Sequence, residues 1–227
     1  MFELVSVLVP TRKRPARLRT LLTSWAQTVG QSNLAELLFR IDTDDAESAA
    51  VLADTPHRVI VGPRLDGYRS LPLFFEELRH QAKGDLLMCG NDDMVFKTPG
   101  WPALILSVAT AYPDGVFDLG VKTFNERNFP FSIVSRRAVE AMGHLQDPRI
   151  YWGDVYLRDV MQAFGRALPV PAVEVEHDWA GHTPDETFLA AGQKDRRGHA
   201  YWQLHRTCVA EAIAKVRPLW ERHEGVA

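Results

Sequence analysis

The sequence predicts an α/β fold: a Rossmann-like, mostly parallel sheet flanked by helices, grading into a mixed second half that ends in a C-terminal helix. Three observations carry this. Short β-branched apolar runs alternate with helical stretches through residues 1–98, the rhythm of a parallel sheet covered on both faces. Each of those runs ends in a polar exit bearing glycine, proline or charge, and open α/β sheets bind ligands at such exits. Beyond residue 98 the rhythm loosens, and one later strand alternates apolar with polar residues.

Leu4 to Val9 is apolar, β-branched and stopped by Pro10, so it reads as a buried strand. Pro15 suits the first position of a helix, in which Leu18, Leu21, Leu22 and Trp25 recur at helical spacing. Glu36 to Asp42 is a second strand, 44–54 a short alanine-rich helix, and Arg58 to Gly62 a third strand. Leu71, Phe74, Phe75 and Leu78 share one face of a helix over 71–82, and Asp85 to Cys89 forms the fourth strand. Trp101 to Tyr112, Arg136 to Met142 and Gly153 to Phe164 read as helices, with strands at 116–121 and 131–135. Val170 to His177 alternates, as a half-exposed strand near a sheet edge does. The tail from His199 to Glu221 is helical, with a break expected at Pro218. With no internal repeat and no interdomain linker, one domain over 1–227 is the simplest organisation.

Basic and acidic residues nearly balance, 26 against 29, which gives no global pull toward nucleic acid or anionic membrane. Cys89 and Cys208 make neither a disulfide framework nor a metal knuckle, and their apolar surroundings suggest core thiols in a reducing compartment. No apolar run approaches a membrane span, and Met1 leads straight into a strand without a signal peptide. The expected location is therefore cytoplasmic.

The four strand exits are "PTRKR", "IDTDD", "GPRLDGYR" and "GNDDM". In the last, Asp92 and Asp93 place adjacent carboxylates at the tip of a buried strand. Such a pair suits either an Asx-type turn or an oxygen-ligated Mg²⁺ or Mn²⁺. Arg12 and Arg14 have the geometry to grip phosphate oxygens, whereas Lys13 and Arg17 read as a solvated basic surface of the first helix. Asp44 and Asp45 read as the cap and first-turn acids of a helix.

The ordered set "VSVLVPTRKRPARLRTLLTSW", "GDLLMCGNDDMVFKTPGW", "YWGDVYLRDV" and "VEVEHDWAGHTPDETF" resembles the inverting, metal-dependent glycosyltransferases of the GT-A fold, family-2-like, and most of all their compact bacterial and phage-type members. The resemblance covers residues 3–190. It implies a nucleotide-diphosphate sugar donor, Mn²⁺ or Mg²⁺ as cofactor, a nucleotide-sugar-binding half over 1–98 and an acceptor-side half over 99–227. Asp93 then corresponds to the metal ligand of the DXD-type motif and Asp92 to the preceding acid, which faces the ribose or a metal-bound water. Asn91 stands where the family's first acid belongs. Pro10, Thr11, Arg12 and Arg14 correspond to the loop holding base and phosphates, Asp42 to the base-binding acid, and Arg64 to a third-strand exit residue near the nucleotide.

Asp154, preceded by Tyr151 and Trp152, corresponds to the family's base; Gly153 replaces an acid common there, and an aspartate at that place also suits a helix N-cap. Trp152 would line the sugar site, and Asp159 is the second candidate base. His177 is the expected second protein ligand of the metal, His182 its alternative, and Trp179 a possible cover for the diphosphate. Competing functions are a metal-dependent nucleotidyltransferase, whose glycine-rich loop is missing from "PTRKRPARL", and a non-catalytic nucleotide- or carbohydrate-binding module. The acceptor hydroxyl is of open class: glycan, small molecule, lipid carrier or modified nucleobase. The basic group Lys194, Arg196, Arg197 and His199 reads as a solvated loop.

Overall fold

The structure is a computed structural model that describes residues 2–65, 70–123, 129–150, 152–178 and 198–224. Its first four strands are those the apolar runs predict: β1 (Val5–Pro10), β2 (Ala35–Asp42), β3 (Arg58–Gly62) and β4 (Leu86–Cys89). All pair in parallel, with β1 between β2 and β4. Four further strands complete the sheet: β5 (Met94–Phe96), β6 (Asp118–Lys122), β7 (Ile133–Ser135) and β8 (Ala167–His177). The spatial order is β3-β2-β1-β4-β7-β6-β8-β5, with β7 antiparallel to β4 and β6, β8 parallel to β6, and β5 antiparallel to β8.

The two-residue period of the strands divides the core into two layers. Val5, Val7 and Val9 of β1, Leu37, Phe39 and Ile41 of β2, and Leu86 and Met88 of β4 face one way. They pack against α1 (Pro15–Thr28), α2 (Ala46–Leu52) and α4 (Trp101–Ala109). Leu8, Leu38, Leu87 and Cys89 face the other way, against α3 (Leu71–Gln81), α5 (Arg136–Met142), α6 (Gly153–Gln162) and α7 (His199–Glu224). Burying each aliphatic side chain on these faces contributes about 1.5–3 kcal/mol. Both cysteines are buried and unpaired by disulfide.

Three differences from the sequence reading have physical causes. β5 is only three residues long, too short for a periodic signal, and exists through its pairing with β8. β8 starts at Ala167 rather than Val170 because Ala167 and Leu168 pair with Asp118 and Leu119 of β6. It lies one strand in from the edge, as its alternation implies. Finally, α7 runs through Pro218 to Glu224. Pro218 and Ala214 both lie on the exposed face, where water can take the carbonyl bond that proline cannot make. Trp220, stacked at a tilt 5.8 Å from Phe164, holds the final turns in place. Among the described residues no helix is long and apolar enough to cross a membrane.

Candidate functional site

The carboxyl ends of β1, β2 and β4 bring three arginines of the first loop and helix onto four acids. Thr11 follows β1, and its backbone N–H continues the sheet by donating to the Arg40 carbonyl (3.0 Å). From there Thr11 Oγ1 donates to Asp92 Oδ2 at 2.7 Å, and Arg14 Nη1 donates to Asp92 Oδ1 at 2.9 Å. Burial pushes the Asp92 carboxyl up, against the pull of Arg14. Gly90 makes the close approach possible: a Cβ there would meet the Met94 sulfur and Val9 Cγ2 at 3.0 Å.

Asp93 is placed from both sides of the sheet. Its carbonyl accepts the Asp178 N–H at 2.9 Å, and Met94 pairs with His177 across the β5–β8 ladder. That register sets His177 Nε2 3.3 Å from Asp93 Oδ1, an ion-pair distance without hydrogen-bond geometry. Phe131 meets the His177 ring edge-on at 5.2 Å and fixes its plane. On the other side Arg17 Nη1 donates to Asp93 Oδ2 at 3.1 Å. Burial pushes the Asp93 carboxyl up, but His177, Arg17 and Arg14 together outweigh it and hold the group below the ordinary carboxylate range. Arg17 is thus not a solvated surface residue. Its three-residue spacing from Arg14, beside the buried Leu18 and Leu21, was the available signal.

Asp93 Oδ1 is buried and makes no hydrogen bond among the described residues. Facing it is an imidazole nitrogen at a separation of about 3 Å, as expected for two neighbouring ligands of one small divalent cation at about 2.1 Å each. The pair therefore fits a metal. Among the described residues no group of three or more His, Cys, Asp or Glu side chains is placed to hold a metal ion. A Mg²⁺-like ion held by two side chains would take the rest of its shell from water and substrate phosphates.

A second knot lies at the β2–β3 exits. Arg12 Nη1 bonds Asp42 Oδ2 at 2.7 Å, and its fork takes Asp44 Oδ1 and Oδ2 at 2.6 and 3.0 Å. The bond to Asp44 contributes most to raising the Arg12 pKa, and the same bond draws the Asp44 carboxyl down to about 2. Arg40, which sequence reasoning missed, is almost fully buried at 1% exposure. It pairs with Asp42, donates to Glu77 Oε2 at 2.9 Å and lies over the Phe74 ring at 3.8 Å. An arginine inside the run "LLFRID" requires such partners, since an unpaired buried charge is costly. Asp45 caps α2 through Ser48 N and accepts Lys13 N, and Lys13 adopts a positive φ of 51° to reach it. Pro10 closes β1, and Arg64 is exposed after β3, where its charge helps lower Asp44.

Asp154 and Trp152 stand on α6. Trp152 is the N-cap residue, so Asp154 lies in the first turn, where the helix dipole favours an anion, rather than at the cap. A Cβ on Gly153 would fall 1.9 Å from the Gln146 side chain, whose Nε2 donates to Cys89 Sγ at 3.7 Å. This contact locks the start of α6 against the end of β4, two residues before Asn91, and leaves no room for a second acid. Trp152 meets Trp202 and Tyr201 of α7 at 5.4 and 6.4 Å. Asp159 pairs with His205 at 3.0 Å and Arg158 at 3.0 Å, so it is a tethered acid. His182, Trp179 and 194–197 lie outside the described residues.

No protein-family model and no curated protein matches the sequence. Solved structures do match by fold. Residues 1–349 of TarS from S. aureus, in complex with UDP, share 14% identity over 76% of this chain and 60% of that one, with a TM-score of 0.58. The mannosyltransferase PcManGT from Pyrobaculum calidifontis, in complex with GDP-Man and Mn²⁺, shares 11% identity over 98% of this chain and 75% of that one, with a TM-score of 0.61. The chain thus spans three-fifths of the TarS fragment and has a GT-A-like glycosyltransferase fold.

Proposed function

We propose that this chain moves a sugar from a nucleotide-diphosphate sugar to an acceptor hydroxyl, with inversion and with the help of a divalent metal. The observation that carries this reading is the meeting of Asp93 and His177 beside the Asp92–Arg14 and Asp42–Arg12 pairs, at the strand exits of a GT-A-like fold. Residues 1–98 form the donor half, which borrows His177 from the acceptor half, 99–227.

In this reading Pro10, Thr11, Arg12 and Arg14 hold the nucleotide and its phosphates, with Asp42, Arg64 and Asp92 around the base and ribose. A divalent metal bound by Asp93 and His177, Mn²⁺ or Mg²⁺, supplies positive charge to the departing diphosphate. Asp154 accepts the acceptor's hydroxyl proton as that oxygen forms its bond to the anomeric carbon. The bond from that carbon to the diphosphate oxygen breaks, and its electron pair leaves with the nucleotide. Trp152 gives the sugar an aromatic wall. The Mn²⁺ and GDP-Man of one structural neighbour, and the UDP of another, support this reading.

A thermal-shift panel of UDP-, GDP-, ADP- and dTDP-sugars, with and without Mn²⁺, tests it. At least one donor should raise the midpoint only when Mn²⁺ is present, because binding to the folded state alone stabilises it. A flat response across the panel contradicts the transferase reading.

A further inference from the structure

The three arginines at the site hold their acids unequally. Arg12 grips Asp42 and Asp44 through three hydrogen bonds of 2.6–3.0 Å. Arg14 holds Asp92, which Thr11 also anchors. Arg17 touches Asp93 through a single N–H at 3.1 Å and has no other hydrogen bond among the described residues. The backbone of Asp93 is held in place, because its carbonyl is bonded to Asp178 N and the adjoining β5 is paired to β8. Arg17, by contrast, extends from an intermediate-exposure position in the first turn of α1, on a side chain with four rotatable bonds.

We propose that Arg17 is the resident counter-ion of Asp93, one that neutralises the carboxylate while the metal is absent and swings to the donor's diphosphate once it is displaced. This rests on the metal reading of Asp93 given above. The two positive charges compete for one carboxylate, so Arg17 weakens binding of metal alone. A bound diphosphate offers the displaced guanidinium a new anion, so Arg17 strengthens binding of metal and nucleotide together. The site then takes up metal and donor jointly in preference to either alone.

The two halves of the proposal have opposite signs, which a residue serving only the fold would not produce. The test uses the full chain and reads free Mn²⁺ by electron paramagnetic resonance, first without nucleotide and then with UDP or GDP. Arg17→Gln should bind Mn²⁺ alone about fivefold more tightly than the wild type. At saturating Mn²⁺ it should bind the diphosphate about tenfold more weakly. Arg17→Lys, which keeps the charge, should restore most of both effects. Unchanged or weaker Mn²⁺ binding by Arg17→Gln, while Asp93→Asn loses Mn²⁺, overturns the counter-ion role and leaves the metal site standing. Wild-type Mn²⁺ affinity in Asp93→Asn overturns the metal reading itself, and the counter-ion role with it.

Discussion

Two buried acids, one at the exit of β4 and one at the start of β6, are neutralised in opposite ways. Asp93 is faced by His177, Arg17 and Arg14, and together they hold its carboxyl below the ordinary carboxylate range despite burial. Asp118, fully buried, is offered only neutral donors: Ser132 Oγ at 3.1 Å and the Ile133 N–H at 3.2 Å. Burial accordingly pushes its pKa up to about 8, with the charge of Asp154 adding to the effect. An acid compensated by long basic side chains can exchange them for a ligand. An acid compensated by a proton and two short donors ties β6 to β7, and no ligand can take the place of those partners.

The largest expected effect separates these two directly. Asp93→Asn and Asp154→Asn should each lower sugar transfer by about 10²–10⁴-fold, whereas Asp118→Asn should leave it within about fivefold of wild type. Only Asp93→Asn should also lose metal-dependent nucleotide binding. Turnover assays with a donor found by the thermal-shift panel give the answer, and a silent Asp154→Asn removes that residue as the base.

Next in size, Arg40→Met should cost about 3 kcal/mol in urea unfolding, because it strips a cation from the buried Asp42 and leaves only Arg12. A cost below about 1 kcal/mol would mean that the donor half does not depend on its ion pairs.

The pH dependence of Asp118 sharpens the contrast. Its folded pKa of about 8 exceeds its ordinary 3.8, so the folded state holds a proton that the unfolded chain has released. The stability it contributes is present below about pH 4 and is lost as the pH rises to about 8. Between pH 6 and 8 the wild type should lose roughly 2 kcal/mol relative to Asp118→Asn, measured by denaturant unfolding. Parallel pH profiles for the two proteins would contradict the assignment. The smallest effect belongs to Ser132→Ala, which should cost about 1 kcal/mol at pH 8 and less at pH 5, where Asp118 keeps its proton without the hydroxyl's help.

Much of this was legible in the residues alone. The apolar runs place β1 to β4, and their charged exits single out Arg12, Arg14, Asp42, Asp92 and Asp93, all of which share the cluster at the strand ends. Arg17, Arg40 and Asp118 were not legible as site or core residues. A charge inside or beside an apolar run signals that a partner exists but not which one. β5 escaped for a related reason, since three residues carry no period and its strand character comes from β8.

By itself the sequence determined the alternation of strand and helix and the delivery of two carboxylates to the tip of β4. Both follow from local periodicity and from residues that terminate strands. Only the tertiary structure decided which basic side chain meets which acid. The β5–β8 register sets His177 against Asp93, the packing of α1 sets Arg17 there, and the Gln146–Gly153 contact seats Asp154 beside β4. These pairings join residues far apart in the chain through strand register and close packing, neither of which leaves a periodic mark in the sequence.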